Sequence, residues 1–543
     1  MILVVDFGSQ TSHLIARRLK DLGVETKIVS PEEILLRQLE DQDDKSVKGI
    51  ILSGGPASVY EKGAPSIDVK IFNLGIPILG ICYGLQLTAH LLGGKVVSGK
   101  KEYGPVTLKI KDERLKMKDN NFSSIISHLS SQFVVWMSHG DEVIKLPRGF
   151  KTVGSSDGVP FAFVENKDKK IYGLQFHPEV EHTEFGLQVL KNFISICQKG
   201  HPERSEGSRD SSVAPQNDII NKIKQIVGEK DYVIGAVSGG VDSTVAATLT
   251  AKAIGKRFIP IYVDNGLMRK GTKQHVVKIF KKIGIKPIVV NAKGEMLVRL
   301  KKITDSEQKR KIIGNFYIDI FEKVRKKLLA KKLPVKYLLQ GTIYSDVIES
   351  GAQRSPAGAS AKEDQGSRHT AVIKSHHNVG GLPKKMKLKL LEPVRNFYKD
   401  EVREIGRSLG LPEEFVNKQP FPGPGFAVRI RGEVTRQRLK MEKKADEIVL
   451  SELQKAGILP NVFLSFPVMT NAYSTAVKGD GRNFGEVVAL RIVESKDIMT
   501  STWSRIPYGI LQKISSRIVN EVPGVSRVVY DITTKPPATM EWE

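Results

Sequence analysis

The chain has 543 residues, 40% of them hydrophobic, and carries 84 Lys and Arg against 59 Asp and Glu, a formal net charge of +25. This length predicts roughly three or four domains with ordinary hydrophobic cores. No apolar run approaches the roughly 20 residues that span a bilayer, the start of the chain does not resemble a signal peptide, and two cysteines provide no disulfide framework. The composition therefore excludes membrane-spanning and disulfide-stapled classes and predicts a large protein of the reducing cytoplasm.

The positive charge leaves two kinds of anionic partner open. Such an excess attracts nucleic acid and would suit a tRNA-modifying enzyme. The basic residues are nevertheless scattered through predicted helices, such as the one with Lys323, Arg325, Lys326 and Lys327, and lack the aromatic residues that stack on bases. A lysine-rich surface that attracts nucleotides is the simpler interpretation, and no nucleic-acid partner is predicted.

Cys82 marks the first candidate site, in a sharp turn between an apolar strand and a helix through Gln86 and His90. Glycines flank this turn at positions 80 and 84. The turn exposes the sulfur above the sheet and places it near a helix N-terminus, where the dipole favours the thiolate. A buried structural cysteine is the alternative, but the flanking glycines favour a nucleophile.

Two downstream side chains complete a nucleophilic site around Cys82. A strand is predicted to end at His177, and Glu179 follows two residues later. A thiol nucleophile needs a base, and the base needs an orienting acceptor, so the three residues form a complete set if the fold brings them together. Backbone amides near Tyr83 and in the loop that contains Gly54 are candidates for an oxyanion hole.

A metal site is the alternative interpretation of this segment. His177, Glu179, Glu181 and His182 are possible ligands, but they lack the H-E-x-x-H spacing, and Pro178 breaks the helical regularity. The nucleophilic interpretation is therefore favoured.

The most distinctive segment is the loop Ser-Gly-Gly-Val-Asp-Ser at 238–243, which follows an apolar strand and opens a helix that ends at Gly255. Amides freed by the glycines, the hydroxyls and the helix N-terminus converge on a phosphate-type anion. An ordinary capped turn is the alternative. A Walker A loop is excluded because the lysine is missing. The loop suits a leaving pyrophosphate held with a divalent cation, for which Asp242 is the candidate ligand.

A second buried strand is predicted over 258–264. It ends in a polar turn that contains Val263 and Asp264. Because α/β sheets present ligand-binding groups at such strand ends, we expect this turn at the binding edge of the sheet.

Four motifs resemble the class I glutamine amidotransferases: Ser-Gly-Gly-Pro at 53–56, Gly-Ile-Cys-Tyr-Gly at 80–84, Met-Ser-His-Gly-Asp at 137–141 and Gln-Phe-His-Pro-Glu at 175–179. The resemblance implies that Cys82 is the nucleophile, His177 the base and Glu179 the orienting acid. The residues expected to form the oxyanion and glutamine sites are Gly54, Tyr83, Gln86, Ser138 and His139. For His139, a loop histidine that is hydrogen-bonded within the protein is as good an interpretation as a direct contact with the ligand.

The 238–243 loop resembles that of the N-type ATP pyrophosphatases, which cleave ATP between its α and β phosphates to adenylate a substrate oxygen. The resemblance implies that ATP is a substrate and that Mg²⁺ accompanies it. The expected ATP contacts are Ser238, Gly239, Gly240, Val241, Asp242, Ser243, Val263, Asp264 and Lys374. Related loops occur in tRNA thiolases and lysidine synthetases, which keeps the tRNA alternative open.

A glutaminase and an ATP pyrophosphatase on one chain resemble the GMP synthetases, which convert XMP to GMP. Further matching strings lie at 309–314, 340–344, 373–378, 420–425 and 535–543. The resemblance implies a homodimer, glutamine and XMP as substrates, and XMP contacts from Arg310, Pro424, Gly425, Lys535, Thr539 and Glu541. Without the resemblance, Arg310 would lie on a solvated helix and the final residues would be a frayed tail.

We expect an α/β protein with two doubly wound parallel-sheet domains and a smaller C-terminal α+β domain. The motifs divide the chain into an amidotransferase domain at 1–198, a polar linker or insert at 199–216, an ATP pyrophosphatase domain at 217–415 and a dimerisation and XMP-binding domain at 416–543. In the last domain a helix is predicted over 433–455 and strands over 486–493 and 526–532.

The sequence departs from this family at a few positions. The linker is longer than usual, an insert occupies 354–370, Ser345 stands where the family favours Pro, and Lys418-Gln419 stands where it favours Arg-His. None of these departures removes a proposed catalytic residue.

Overall fold

The computed structural model describes residues 1–34, 47–111, 125–198, 215–282, 284–349, 388–478, 481–495 and 498–543. Lys374, the insert at 354–370 and most of the segment at 199–216 lie outside these ranges. The chain divides into two compact units. The first comprises Met1–Ser208, Lys496–Ser501 and Thr534–Thr539, and the second comprises Arg209–Ser495, Thr502–Thr533 and Met540–Glu543.

A nine-stranded sheet forms the centre of the first unit. Its strands are β1 (Ile2–Val5), β2 (Thr26–Val29), β3 (Gly49–Leu52), β4 (Ile78–Ile81), β5 (Lys95–Ile110), β6 (Gln132–Lys145), β7 (Lys151–Ser155), β8 (Phe163–Asn166) and β9 (Ile171–Leu174). Their order in the sheet is β2-β1-β3-β4-β9-β8-β7-β5-β6. The run from β2 to β9 is parallel, and β8, β7, β5 and β6 extend it in antiparallel fashion.

Both faces of the parallel strands are covered, which explains why these strands are continuous apolar runs. On β3, Ile51 belongs to one hydrophobic cluster, whereas Ile50 and Leu52 belong to another. Helices α1 (Ser12–Asp21) and α3 (Gly186–Gln198) contribute to the first cluster, and α2 (Tyr83–Leu91) contributes to the second. This arrangement of helices on two faces confirms the predicted α/β class.

The antiparallel half of this sheet was not part of the prediction. The motifs indicate strand followed by helix, which is typical of parallel neighbours, but they carry no information on the direction of β5 to β8. The long β5 and β6 strands instead pair directly with each other from Lys95 to Lys109. Strand β9 also ends at Leu174, so His177 lies in the following loop rather than at the strand end.

A five-stranded parallel sheet forms the first part of the second unit. Its strands are β10 (Tyr232–Ala236), β11 (Phe258–Asp264), β12 (Ile288–Asn291), β13 (Val335–Leu339) and β14 (Lys389–Leu391), in the order β12-β11-β10-β13-β14. The helices of this part are α4 (Pro215–Val227), α5 (Val241–Ile254), α6 (Thr272–Lys282), α7 (Lys293–Arg299), α8 (Ser306–Ala330), α9 (Tyr344–Glu349), α10 (Lys399–Ser408) and α11 (Glu413–Val416).

A smaller sheet follows in the second unit, with β15 (Leu464–Lys478), β16 (Gly481–Glu494), β17 (Thr502–Trp503) and β18 (Val525–Tyr530). Helices α12 (Arg436–Lys455) and α13 (Tyr508–Glu521) accompany it. Helix α12 begins three residues later than predicted, because the Thr435 side chain caps it by accepting from the Arg438 amide. One hydrophobic cluster joins residues of both sheets, including Ile234 and Ile492.

No helix in the described part of the chain is long and apolar enough to cross a bilayer.

Candidate active sites

Three neighbouring parallel strands position the first site. β3, β4 and β9 are adjacent, so their carboxyl ends meet at one edge of the sheet. Gly54 lies just after β3, Cys82 directly after β4, and His177 and Glu179 in the loop after β9. The strand order therefore brings together the three side chains that the sequence could only suggest.

Cys82 occupies a strained turn at the start of α2. Its φ of 51° and ψ of −105° lie in a region that non-glycine residues rarely adopt. Its backbone amide donates to the Leu174 carbonyl of β9 at 2.7 Å, which ties the turn to the strand that precedes His177. The Cys82 side chain is thus held above the sheet edge by backbone geometry.

The tight turn depends on Gly84. A Cβ atom at this position would lie 2.3 Å from the main-chain oxygen of Leu52. We expect Gly84→Ala to destabilise the first unit by about 1–3 kcal/mol, because backbone rather than a movable side chain must shift. The chain's two cysteines, Cys82 and Cys197, are buried in this unit, so thiol labelling during urea unfolding reports on it specifically.

Gly140→Ala is the matched control, since a Cβ atom there meets nothing within 4 Å. Equal unfolding midpoints for the two variants would contradict the steric explanation.

His177 is oriented by Glu179. Its Nδ1 lies 2.8 Å from Glu179 Oε1, and both side chains are buried. The loop is fixed by the Thr183 hydroxyl, which donates to the His177 carbonyl at 2.6 Å, and by Arg18 Nε, which donates to the Glu179 carbonyl at 3.1 Å. The imidazole therefore has one defined orientation toward Cys82.

The pKa of His177 is raised to about 10. Burial by itself would lower it, but the charge of Glu179 and hydrogen bonds with Cys82 and Glu179 outweigh burial. These contacts favour an imidazolium beside the Cys82 sulfur.

Gly54 and Tyr83, the predicted oxyanion residues, lie beside this pair. A Cβ atom at Gly54 would lie 3.2 Å from His177 Cε1 and 3.7 Å from Cys82 Cβ, so a side chain at this position would crowd both residues. Tyr83 is the first residue of α2, where amides have no intrahelical partner. Its hydroxyl donates to the Pro65 carbonyl, so the Tyr83 side chain anchors the helix.

Ser138 contacts Cys82 through its backbone carbonyl, whereas the Gln86 side chain contacts the backbone of β6. The Ser138 carbonyl lies 3.6 Å from Cys82 Sγ. The Gln86 amide nitrogen donates to the Asp141 carbonyl at 2.8 Å and is buried, which fixes β6 against α2.

Gln175 begins the motif at 175–179, but no role was predicted for it. Its Nε2 lies 3.7 Å from Cys82 Sγ, and its Oε1 is buried without a hydrogen-bond partner in the described ranges. The sequence signal was its position, two residues before His177 and directly after β9.

His139 lies within β6 rather than in a loop. Its Nδ1 is 3.1 Å from the Asp141 carbonyl and its Nε2 is 3.4 Å from Glu102 Oε2. Burial lowers the pKa of His139 to about 4, with a further decrease from His177, although the hydrogen bond with Asp141 opposes it. The side chain is therefore neutral at physiological pH.

This lowered pKa predicts loss of stability in acid. Between pH 6.5 and about 4 the unfolded chain binds a proton at His139 that the folded chain does not, so stability falls as the pH falls. In the wild type this proton costs roughly 3 kcal/mol of unfolding free energy between pH 6.5 and about 4, and we expect His139→Asn to remove that part of the pH dependence. Urea unfolding of both proteins at pH 7 and pH 4.5, followed by thiol labelling, measures the difference. Parallel pH profiles would disprove the assignment.

The second candidate site lies at the edge of the five-stranded sheet. Loop 238–243 follows β10, which pairs with β11 on one side and β13 on the other. From β10 the chain continues to β11 on one side of the sheet and returns to β13 on the other side. Parallel α/β sheets bind ligands at the carboxyl ends of strands where the strand order reverses in this way. Val263 and Asp264, at the end of the adjacent β11, lie along the same edge.

The loop is closed by its own side chains. Ser238 Oγ and Ser243 Oγ lie 3.0 Å apart, and Ser243 Oγ donates to the Gly240 carbonyl at 3.1 Å. Gly240 caps α5, whose first residue is Val241. Gly341, from the turn after β13, packs so closely that a Cβ atom would lie 2.6 Å from the Ser243 nitrogen. Nothing in the local sequence marks this contact.

Both predicted carboxylates at this edge pair with lysines. Asp242 Oδ2 accepts from Lys399 Nζ at 2.5 Å, and Asp264 Oδ2 lies 3.2 Å from Lys293 Nζ. Asp242 Oδ1 is buried and has no hydrogen-bond partner among the described residues. Lys399 was not identified from the sequence, because it lies far along the chain on α10.

The predicted XMP residues of the second unit engage other protein groups. Both Glu541 oxygens accept from Arg429, at 3.0 and 3.1 Å. Arg310 donates to the main-chain oxygen of Glu543. Pro424 and Gly425 are buried at the start of the short 3₁₀ helix Gly425–Arg429.

Lys535 and Thr539 group with the first unit. Lys535 is buried, and its Nζ donates to the Ile498 carbonyl at 2.8 Å. Thr539 is exposed.

Three models of known families match separate parts of the chain. The model for "Glutamine amidotransferase class-I" matches residues 3–197, that for "NAD synthase" matches 213–320, and that for "GMP synthase C terminal domain" matches 451–542.

Two relatives that match over the full length carry the same name. The "GMP synthase [glutamine-hydrolyzing]" of Thermosipho africanus is 47% identical over 543 residues, covering 100% of this chain and 99% of the relative. The protein of the same name from Kluyveromyces lactis is 47% identical over 546 residues, covering 100% and 98%. Among solved structures, the match to a glutamine amidotransferase from Thermotoga maritima covers 37% of this chain and 82% of the Thermotoga chain. The sequence identity is 22% and the TM-score is 0.27. The chain belongs to the glutamine-hydrolysing GMP synthase family.

Proposed function

We propose that this chain converts XMP to GMP, using glutamine as the nitrogen donor and cleaving ATP to AMP and pyrophosphate. The full-length similarity to the glutamine-hydrolysing GMP synthases carries this proposal. The geometry supports it, because one unit holds a cysteine–histidine–glutamate set and the other a loop suited to pyrophosphate. The reaction is a step of purine nucleotide synthesis and makes the chain a ligase that forms a C–N bond.

The first unit would release ammonia. Cys82 thiolate attacks the side-chain carbonyl carbon of glutamine, and amides near Tyr83 and Gly54 stabilise the oxyanion. His177 donates a proton to the departing ammonia, which leaves a thioester. His177 then takes a proton from the water that cleaves the thioester to glutamate, while Glu179 holds the ring in place throughout. Ser138, His139 and Gln86 shape the glutamine site, with His139 as a neutral hydrogen-bonding group.

The second unit would adenylate XMP. The oxygen on carbon 2 of the purine attacks the α-phosphorus of ATP, and the pyrophosphate leaves into the 238–243 loop. Ammonia then attacks carbon 2 of the adenylated purine, and AMP leaves. Ser238, Ser243 and the amides of Gly239, Gly240 and Val241 hold the leaving group, and Val263 and Asp264 lie along the adenosine side. Lys374 is a further proposed phosphate contact.

Mg²⁺ is a proposed partner of ATP at this loop. The residues fit it, because Asp242 offers one buried carboxylate oxygen without a partner in the described ranges, and Mg²⁺ prefers oxygen ligands. No group of three or more His, Cys, Asp or Glu in the described ranges could enclose a metal, so phosphate and water oxygens would complete the coordination. When bound, the ion neutralises phosphate charge.

The XMP contacts are also proposals. Arg310 would contact the phosphate, and Pro424 and Gly425 would present loop groups to the nucleotide. Glu541, held by Arg429, would accept from the purine or ribose. Lys535 and Thr539 complete the proposed set.

The proposed assembly is a homodimer, and the proposed location of the protein is the cytoplasm. Tyr473, Val477 and Phe484 lie near the ends of the β15 and β16 strands that meet in a hairpin, and their exposed fractions are 50%, 78% and 69%. Apolar side chains exposed to this degree support burial against a second copy. Sedimentation equilibrium would measure the mass.

The test of the function is one reaction mixture. Purified chain with XMP, ATP, Mg²⁺ and glutamine should yield GMP, AMP and pyrophosphate in equal amounts. Absence of GMP with either glutamine or ammonium would reject the proposal, and ATP consumption that requires tRNA would favour a tRNA-modifying enzyme.

A further inference from the structure

Three cationic side chains of the second unit gather at the 238–243 loop. Lys399 Nζ contacts Asp242 Oδ2 at 2.5 Å, and Lys418 Nζ donates to the Gly239 carbonyl at 3.3 Å. Arg403, one turn after Lys399 on α10, lies 3.5 Å from the Lys418 carbonyl through Nη2. We call Lys399, Arg403 and Lys418 the cation cluster. No residue of this cluster was predicted to bind a substrate.

Lys399 fixes one side of the Asp242 carboxylate. The lysine is buried, at 9% exposure, and its partner carboxylate is 23% exposed. With Oδ2 held by Lys399, the buried Oδ1 is left without a partner among the described residues. A buried carboxylate oxygen without a hydrogen bond costs free energy, so a ligand at Oδ1 would stabilise this geometry.

Arg403 and Lys418 are under-compensated cations. Arg403 Nε is buried and has no partner in the described part of the chain. Burial lowers the pKa of Arg403 more than Asp242 raises it, and burial together with Arg269 lowers the pKa of Lys418. Partly buried positive charge with too little counter-charge is costly, and an anion with several charges would lower that cost.

We propose that the cation cluster is the counter-charge of the leaving pyrophosphate. Lys399 is a positioning residue that holds Asp242, and Arg403 and Lys418 bind the pyrophosphate directly. This inference rests on the proposed function, because pyrophosphate is the leaving group of that reaction. When the XMP oxygen bonds to the α-phosphorus, the bond from that phosphorus to the bridging oxygen breaks, and its electron pair leaves with pyrophosphate. Fixed positive charges at that position stabilise the charge as it develops.

The test measures binding of inorganic pyrophosphate to the full chain by isothermal titration calorimetry, beside the kinetics of ammonium-driven GMP synthesis. Lys399→Met, Arg403→Met and Lys418→Met should each raise the pyrophosphate dissociation constant by about tenfold or more, since each removes a charge-assisted contact. The KM for XMP should stay within about twofold, which a general structural defect would not allow. Lys399→Arg should recover most of the affinity lost in Lys399→Met.

Arg407→Met is the matched control. Arg407 lies one turn beyond Arg403 on α10, pairs with Glu413 at 2.8 Å and is 42% exposed, so its loss should leave pyrophosphate binding unchanged. Lys418→Met keeps the Lys399–Asp242 pair and gives a clear result even if loss of Lys399 disturbs folding.

The outcomes separate the two hypotheses. A wild-type chain that makes no GMP from ammonium would reject the proposed function. A wild-type chain that makes GMP, with all three cluster variants binding pyrophosphate as tightly as Arg407→Met, would overturn the inference alone.

Discussion

Cys82→Ala should abolish glutamine-dependent GMP formation, by at least about a thousandfold, and leave ammonium-dependent formation near the wild-type rate. Alanine has no atom that can form the thioester. The synthetase chemistry of the second unit needs only ammonia as its nitrogen source, and ammonium supplies that without glutamine. Chromatography of GMP and AMP from parallel reactions with glutamine and with ammonium chloride measures both rates.

Cys197→Ala is the control for loss of a thiol. Cys197 is also buried, and burial raises its pKa to about 12, so it is not a nucleophile at physiological pH. This variant should retain the wild-type rate of GMP formation with glutamine and with ammonium. Glutamine-dependent activity in Cys82→Ala would refute the assignment of the nucleophile.

Asp242→Asn should lower GMP formation by about a hundredfold or more with glutamine and ammonium alike. The substitution keeps the shape of the side chain but removes the negative charge that pairs with Lys399 and is proposed to accompany Mg²⁺. Because the defect lies in the ATP reaction, the nitrogen source should not matter. Steady-state rates with each source, together with thermal melting to verify folding, make the measurement.

Asp218→Asn is the matched control, since Asp218 is an exposed carboxylate in the first turn of α4. It should behave as wild type. A loss in Asp242→Asn that appears only with glutamine would contradict a role in ATP cleavage.

Local sequence was sufficient for both candidate loops. Glycine spacing around Cys82 and in 238–243 predicted strand-to-helix turns, and the structure has β4 followed by α2 and β10 followed by α5. These predictions succeed because steric limits on the backbone act over a few residues.

Contacts between distant segments were beyond local reasoning. The direction of β5 to β8 and the bidentate pairing of Glu541 with Arg429 could not be predicted, because neither leaves a periodic or turn signal. The same holds for Lys399, whose partner Asp242 lies 157 residues away.

The sequence by itself determined the chemical groups of this protein: a cysteine at a glycine-flanked turn, a histidine followed by a glutamate, and a glycine-rich loop before a helix. Only the tertiary structure decided that Cys82 and His177 face each other, because that requires β4 and β9 to be adjacent and parallel. It also decided that Lys399 meets Asp242. Strand order and helix packing depend on burial of apolar faces over the whole chain, and no short motif specifies them.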